Sequence, residues 1–89
     1  MLKIEIAKRA AKLLARLLPK HARQLAIKIQ DLRMNPAPHD SKLLKGHAPY
    51  RRADMGEYRI IYFVQGDILK IDLVGKRNDD EIYKQLRRL

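Results

Sequence analysis

Apolar residues alternate with charged ones at the start of the chain, where Leu2, Ile4 and Ile6 bracket Lys3 and Glu5. A period of two predicts a half-buried strand. From Ala10 the period lengthens. Ala10, Leu13, Leu14, Leu17 and Leu18 follow helical spacing, with Lys12 and Arg16 on the other side,. Pro19 either ends this helix or starts the next. A second helix is predicted from about Lys20 to Met34, with an apolar stripe of Ala22, Leu25, Ala26, Ile29 and Leu32 and with Lys28 and Asp31 outward,. So short a turn between them makes an αα-hairpin. The segment Asn35 to Asp40 stops the second helix, because each of its prolines restricts the residue before it,.

A loop, SKLLKGHAP, is expected next, and then three strands. Tyr50 to Asp54 is the first, with Met55-Gly56-Glu57 as its turn. Tyr58 to Val64, rich in β-branched and aromatic residues, is the second,. Gly66-Asp67 fits a two-residue hairpin turn with glycine first, and Ile68 to Val74 is the third strand,. Near Asn78 the spacing turns helical again. Asn78 and Glu81 have capping-box spacing, Asp79, Asp80 and Glu81 stand at the helix start, and Lys84, Arg87 and Arg88 stand near its end, which suits the helix dipole,. Ile82, Leu86 and Leu89 would form its apolar face.

The predicted order is therefore βααβββα, an α+β arrangement over residues 1–89 as one domain. A twisted, mainly antiparallel sheet with helices packed on a face is the simplest way to bury these stripes. There are no internal repeats, linkers or low-complexity tracts.

Charge changes this picture. Twenty Lys and Arg face ten Asp and Glu, a net charge of +10. Residues 1–40 carry nine basic and three acidic groups and residues 41–89 carry eleven and seven, so this is not a basic tail on a neutral body. Such a balance favours a polyanionic partner: RNA, DNA, an acidic protein segment or a membrane surface. No cysteine is present, which excludes disulfides, a thiol nucleophile and a Cys-based zinc site,. His21, His39 and His47 lack metal-ligand spacing, and no cofactor is expected,. No segment approaches the roughly 18 apolar residues of a membrane span. The first 18 residues look a little like a targeting peptide, but Glu5 and the alternation around it read as a strand and no small-residue cleavage site follows,. A cytoplasmic protein with no membrane partner is expected.

The chemistry-bearing residues lie in the second half. Arg51 and Arg52 open one strand, Arg59 lies in the next, Lys76 and Arg77 end the third, and Tyr83 is in the first turns of the last helix. Antiparallel pairing can bring distant arginines to one side of a sheet. There they repel each other unless an anion binds, and phosphate fits the planar guanidinium fork. Each residue also has a plainer account. Arg51 and Arg52 can be a solvated strand start. Arg59, flanked by Tyr58, Ile60 and Ile61, needs a partner and could pair with Glu57 or Asp72. Lys76-Arg77 can be a polar strand end, and Tyr83 can pack at the helix–sheet seam. The GxGxxG, P-loop and HExxH patterns are absent,.

The stretch LLKGHAPYRRADMGEYRIIY resembles the middle of RelE/ParE-superfamily toxins, which read as leucine, glycine, a basic strand, a glycine turn and Y-R-hydrophobic-hydrophobic-Y. The ending GKRNDDEIY closely resembles the RelE form G-K-R-x-x-x-E-x-Y, and the βαα start fits, so the likeness covers nearly the whole chain. The resemblance implies the toxin of a type II toxin–antitoxin system, an endoribonuclease that cuts mRNA in the ribosomal decoding site and so inhibits translation. By the same resemblance, Arg59 matches a phosphate-binding arginine, Arg77 the arginine that protonates or stabilises the leaving group, and Tyr83 the tyrosine that aligns or activates the attacking 2′-hydroxyl. Arg51, Arg52 and Lys76 would bind RNA. The implied partners are a cognate antitoxin, the ribosome and mRNA, with operator DNA met only through the toxin–antitoxin complex. The chain departs from the family at its basic strand, where the RelE type holds two lysines. Here the strand carries arginines, and Asp54 stands near the place of a second basic group.

Cleavage by a 2′-hydroxyl needs a base, a stabiliser for the pentacovalent phosphate and an acid for the leaving 5′-oxygen. Arginine stabilises well but stays protonated. Tyrosine and lysine are poor bases at neutral pH unless their pKa values shift. Such a site should be slow on unassisted RNA and should rely on another body to hold the substrate in line. His47, in the loop before the basic strand, is a rival base. Two other readings of the same fold stand beside this one: a ParE-like inhibitor of DNA gyrase, and a catalytically weak toxin acting with its antitoxin in operon autoregulation. GKRNDDEIY favours RNA cleavage.

Overall fold

The computed structural model describes residues 1–78 and 81–87, with side chains throughout that span except at Glu81, Leu86 and Arg87. The chain runs β1 (Lys3–Ile6), α1 (Lys8–Arg16), α2 (Pro19–Met34), β2 (Ser41–Leu43), β3 (Arg51–Met55), β4 (Tyr58–Gln65), β5 (Ile68–Lys76) and α3 (Glu81–Arg87). The five strands form one sheet in the order β1-β5-β4-β3-β2. Only β1 against β5 is parallel, and the other three pairings are antiparallel. The α+β class and the mainly antiparallel sheet are as the sequence predicts.

Pro19 starts α2 rather than ending α1, where its missing N–H costs nothing. Leu25, Ile29 and Leu32 are buried on that helix, while Ala26 is exposed. Lys28 is not simply outward: its ammonium donates to Asp40 Oδ2 at 2.7 Å, tying the helix to the proline segment that follows it. That hydrogen bond holds the Asp40 carboxyl below its ordinary range.

Two further differences have clear causes. The expected loop after Asp40 contains β2, a three-residue edge strand paired with Arg51–Ala53. Three residues are too few to show a period, so pairing with β3 alone defines it. The helices also divide between the two faces of the sheet. Ala10 of α1 and Leu25, Ile29 and Leu32 of α2 pack with Ala53, Ile60, Tyr62, Leu69, Ile71 and Val74. The opposite face carries a smaller core of Leu44, Ile61, Leu73 and Ile82, with Tyr50 and Tyr83 against it. Fully burying each such aliphatic side chain stabilises by about 1.5–3 kcal/mol, so α1 and α2 cover the face that contributes most. Tyr62 is wholly buried and its hydroxyl donates to the Pro36 carbonyl at 2.7 Å, which satisfies the one polar atom of that side chain,.

Between Ile61 and Tyr62 the β4–β5 register slips, because Ile61 pairs with Leu73 and Tyr62 with Ile71. Asp72 is the extra residue of this bulge. Both hairpin turns, at Gly56 and Gly66, place glycine at φ +60° ahead of a residue with negative φ, the pattern of a type II′ turn. The side chains of Glu81 and Leu86, on which the Asn78–Glu81 cap and part of the apolar face depend, and the whole of Leu89 lie outside what the structure describes. Among the described residues no helix is long and apolar enough to cross a membrane.

Candidate functional site

The β3–β4 hairpin closes through two residues, Gly56 and Glu57, so Met55 faces Tyr58 and Asp54 faces Arg59. Arg59 in turn faces Gly75 of β5. By alternation, Arg59 and Asp54 share the face of Ile61 and Leu73, the face that α3 covers. That cover lies against the strand at Gly75: a Cβ there would be in ordinary van der Waals contact with Ile82 of α3, at 3.4 Å. One residue further along α3, Tyr83 reaches the same arginine.

Three groups therefore meet. Arg59 Nε donates to Asp54 Oδ1 at 2.7 Å and Nη2 donates to Oδ2 at 3.2 Å, a bidentate pair. Arg59 Nη1 donates to the Tyr83 hydroxyl oxygen, and the guanidinium carbon lies 5.9 Å from the Tyr83 ring centroid. The Arg59 side chain is 12% exposed and that of Asp54 is 38% exposed. A guanidinium has five N–H donors. With three engaged, two remain.

The electrostatics are lopsided. The Arg59 hydrogen bonds hold the Asp54 carboxyl below its ordinary value against the opposing effect of burial, and the charges of Arg52 and Arg77 lower it further. Asp54 in turn raises Arg59. One carboxylate thus sits in the field of three arginines. The expectation that these arginines repel unless an external anion binds is corrected here, because the fold supplies its own anion. The partner of Arg59 is neither Glu57 nor Asp72.

Arg52 faces Ile61 and so lies on the Arg59 side. With Asp40, Lys42 and Asp54 it lines a cleft of about 100 Å³. Arg77 is exposed just past β5, and its backbone N–H donates to the Glu57 carbonyl at 2.9 Å. Lys76 faces Tyr58, one position out of phase with Arg59. It joins Glu57, Arg77 and Asn78 around an open depression of about 460 Å³ at the sheet end. Arg51 is not brought to this cluster. It faces Tyr62 on the α1–α2 side, its Nη2 donates to Ser41 Oγ at 3.0 Å, and its Nε is buried without a partner. His47 closes a backbone turn with Leu44 and Tyr50, and its side chain makes no hydrogen bond to Arg59, Asp54 or Tyr83. Among the described residues no three His, Cys, Asp or Glu side chains come together as metal ligands.

Asp54 is the site residue the sequence reading missed as a contact. The signal was present. A Met55-Gly56-Glu57 turn puts Asp54 opposite Tyr58, whereas a two-residue Gly56-Glu57 turn puts it opposite Arg59.

No family model matches the sequence, and no curated protein matches it. Solved structures do. An archaeal RelE in complex with RelB from Pyrococcus horikoshii is similar at 28% identity and a TM-score of 0.76, over 86% of this chain and 96% of that one. A RelE in complex with RelB from Methanococcus jannaschii is similar at 25% identity and a TM-score of 0.70, over 96% and 98%. A mutant of the E. coli toxin RelE in the free state is similar in fold, at 22% identity and a TM-score of 0.83 over 98% and 95%.

Proposed function

We propose that this chain, RelE-like in fold, is the toxin of a type II toxin–antitoxin pair and that it cleaves mRNA on the ribosome. The observation that carries this reading is the convergence of Arg59, Tyr83, Arg52 and Arg77 about one end of the sheet, in a site built by the very segments, YRIIY and GKRNDDEIY, that resemble the RelE toxins. The solved relatives that are complexes with RelB support a cognate antitoxin as partner. So does a cleft of about 320 Å³ on the far side of the molecule, lined by Ile4, Ile6, Leu14, Ala22, Ala26 and Ile29, which offers apolar anchorage beside a net charge of +10.

In this reading Arg59 holds the scissile phosphate and stabilises its extra charge in the pentacovalent state, where fixed guanidinium donors act most strongly. Arg77, exposed at the end of β5, supports the departing 5′-oxygen. The Tyr83 hydroxyl accepts from Arg59, so its own proton points away from the guanidinium and toward substrate. That geometry suits alignment of the 2′-hydroxyl. Arg52 and Lys76 guide the RNA backbone, and Arg51, committed to Ser41 on the other face, takes no part. None of these groups is an efficient proton acceptor at neutral pH, so the rate must come from alignment. The test compares the purified protein on translated mRNA and on naked RNA of the same sequence. Cleavage is expected only during translation, and equal rates with and without ribosomes would overturn the reading.

A further inference from the structure

The proposed phosphate-binding arginine is already engaged. Asp54 fills the Nε/Nη2 edge of Arg59 with both carboxylate oxygens, at 2.7 and 3.2 Å, and Tyr83 takes a donor of Nη1. We propose that Asp54 is a selectivity residue: an internal anion that occupies Arg59 and lets an RNA phosphate engage this arginine only by displacing or overcoming the carboxylate. This inference rests on the reading of Arg59 as a phosphate ligand and adds what controls its access.

Three observations support it. The side-on edge of arginine is the edge that grips phosphate or carboxylate bidentately, and that edge is taken. A phosphate on the remaining N–H groups would sit beside a carboxylate that is still ionised, because Arg59, Arg52 and Arg77 all favour its charged form. The pair is also fixed by the backbone, since Asp54 and Arg59 are direct cross-strand partners next to a two-residue turn. Reaching Arg59 therefore requires exchanging one anion for another. Arg52 and Arg77 carry no such bridge among the described residues, so they meet RNA first. RNA that merely diffuses past meets these outer basic groups without engaging Arg59. RNA held in line by another body can keep a phosphate at Arg59 long enough to replace Asp54, because a positioned group acts at a high effective concentration.

The test uses isolated protein and a short RNA oligonucleotide methylated at every 2′-oxygen, which binds but cannot be cut, with anisotropy as readout. Asp54→Asn should tighten binding roughly tenfold, the scale set by replacing a charge-assisted bidentate pair with a neutral side chain. Asp67→Asn makes the same change in net charge at the β4–β5 turn, at the other end of the sheet, and should alter affinity less than about twofold, as expected for an exposed charge,. Combining Asp54→Asn with Arg59→Gln should erase the gain. Unchanged or weaker binding by Asp54→Asn would overturn the inference, as would a gain that survives loss of Arg59. If Asp54→Asn does not fold, the wild-type protein decides: saturating oligonucleotide should raise the carboxyl titration midpoint of Asp54, followed by carbon NMR, and an unmoved midpoint overturns the proposal. No step requires cleavage. A wild-type protein that cuts mRNA on ribosomes while Asp54→Asn shows no gain defeats this inference alone. A clear gain in a protein that never cuts RNA defeats only the proposed function.

Discussion

Two clusters in this protein are made of the same three residue types and behave differently. In one, Arg9 of α1 donates to Asp72 Oδ2 at 3.3 Å and the Tyr50 hydroxyl donates to the same oxygen at 2.8 Å. In the other, Arg59 grips Asp54 and donates to the Tyr83 oxygen. The direction of the tyrosine hydrogen bond separates them. Tyr50 gives its proton to a carboxylate, and burial with that contact pushes its pKa up to about 12. Tyr83 receives a proton contact from a cation and keeps its own hydrogen for another acceptor. The charge count differs as well. Arg9 and Asp72 form a balanced pair, whereas Asp54 stands in the field of Arg59, Arg52 and Arg77. A balanced cluster whose tyrosine has spent its donor is a brace between α1, the residue that leads into β3 and the β5 bulge. An unbalanced cluster with a donor in reserve can still take a ligand.

The largest effect should appear when the two arginines are exchanged for alanine. Arg59→Ala should slow ribosome-dependent cleavage at least about tenfold, a loss of about 1.4 kcal/mol of transition-state stabilisation, and Arg77→Ala should do the same. Arg9→Ala should leave the rate within about twofold. Because Arg59→Ala also strips the half-buried Asp54 of its partner, it should cost about 1 kcal/mol of stability, seen by denaturant titration. Full toxicity of Arg59→Ala in cells would remove the distinction between the clusters.

The tyrosines should divide the two roles more finely. Tyr83→Phe should slow cleavage several-fold and leave the melting temperature nearly unchanged. Tyr50→Phe should do the opposite: loss of its donor to Asp72 costs about 1 kcal/mol, which lowers Tm by roughly 4–8 °C in a domain of this size. A Tyr83→Phe protein that kills by loss of supercoiling with mRNA intact would favour gyrase inhibition.

The pH limbs give smaller, separate signatures. Tyr50 titrates from 10.0 unfolded to about 12 folded. The folded state keeps its proton longer, so the stability from this group is whole below pH 10 and drains away as pH rises toward 12. Tyr50→Phe should therefore flatten the alkaline limb of a Tm-versus-pH curve. Asp54 moves the other way, below its ordinary 3.8. Its pair stabilises the fold above that value and is lost as pH falls through the lower folded pKa. Asp54→Asn should flatten the acid limb, an effect reduced by the partial exposure of the carboxylate.

Much of the protein was determined by its sequence alone. The period-two start, the helical stripe of Leu25, Ile29 and Leu32, the glycine-first turn at Gly66 and the strand-rich second half declare themselves locally, because each depends on the repeat of a single element. So did the residues Arg59, Arg77 and Tyr83 as candidates, through segments whose order along the chain carries the likeness to RelE toxins. The tertiary structure decided what depends on which residues meet. It placed α3 on the opposite face from α1 and α2, made β2 a strand by giving it a neighbour, and introduced the bulge that turns Asp72 toward Tyr50 and Arg9. Above all it sent Arg51 and Arg52, adjacent in sequence, to opposite faces, and set Asp54 against Arg59. A strand reverses its faces with every residue, so a one-residue difference in turn length changes every partner across the hairpin. Composition and period are properties of a single strand; register belongs to the pair.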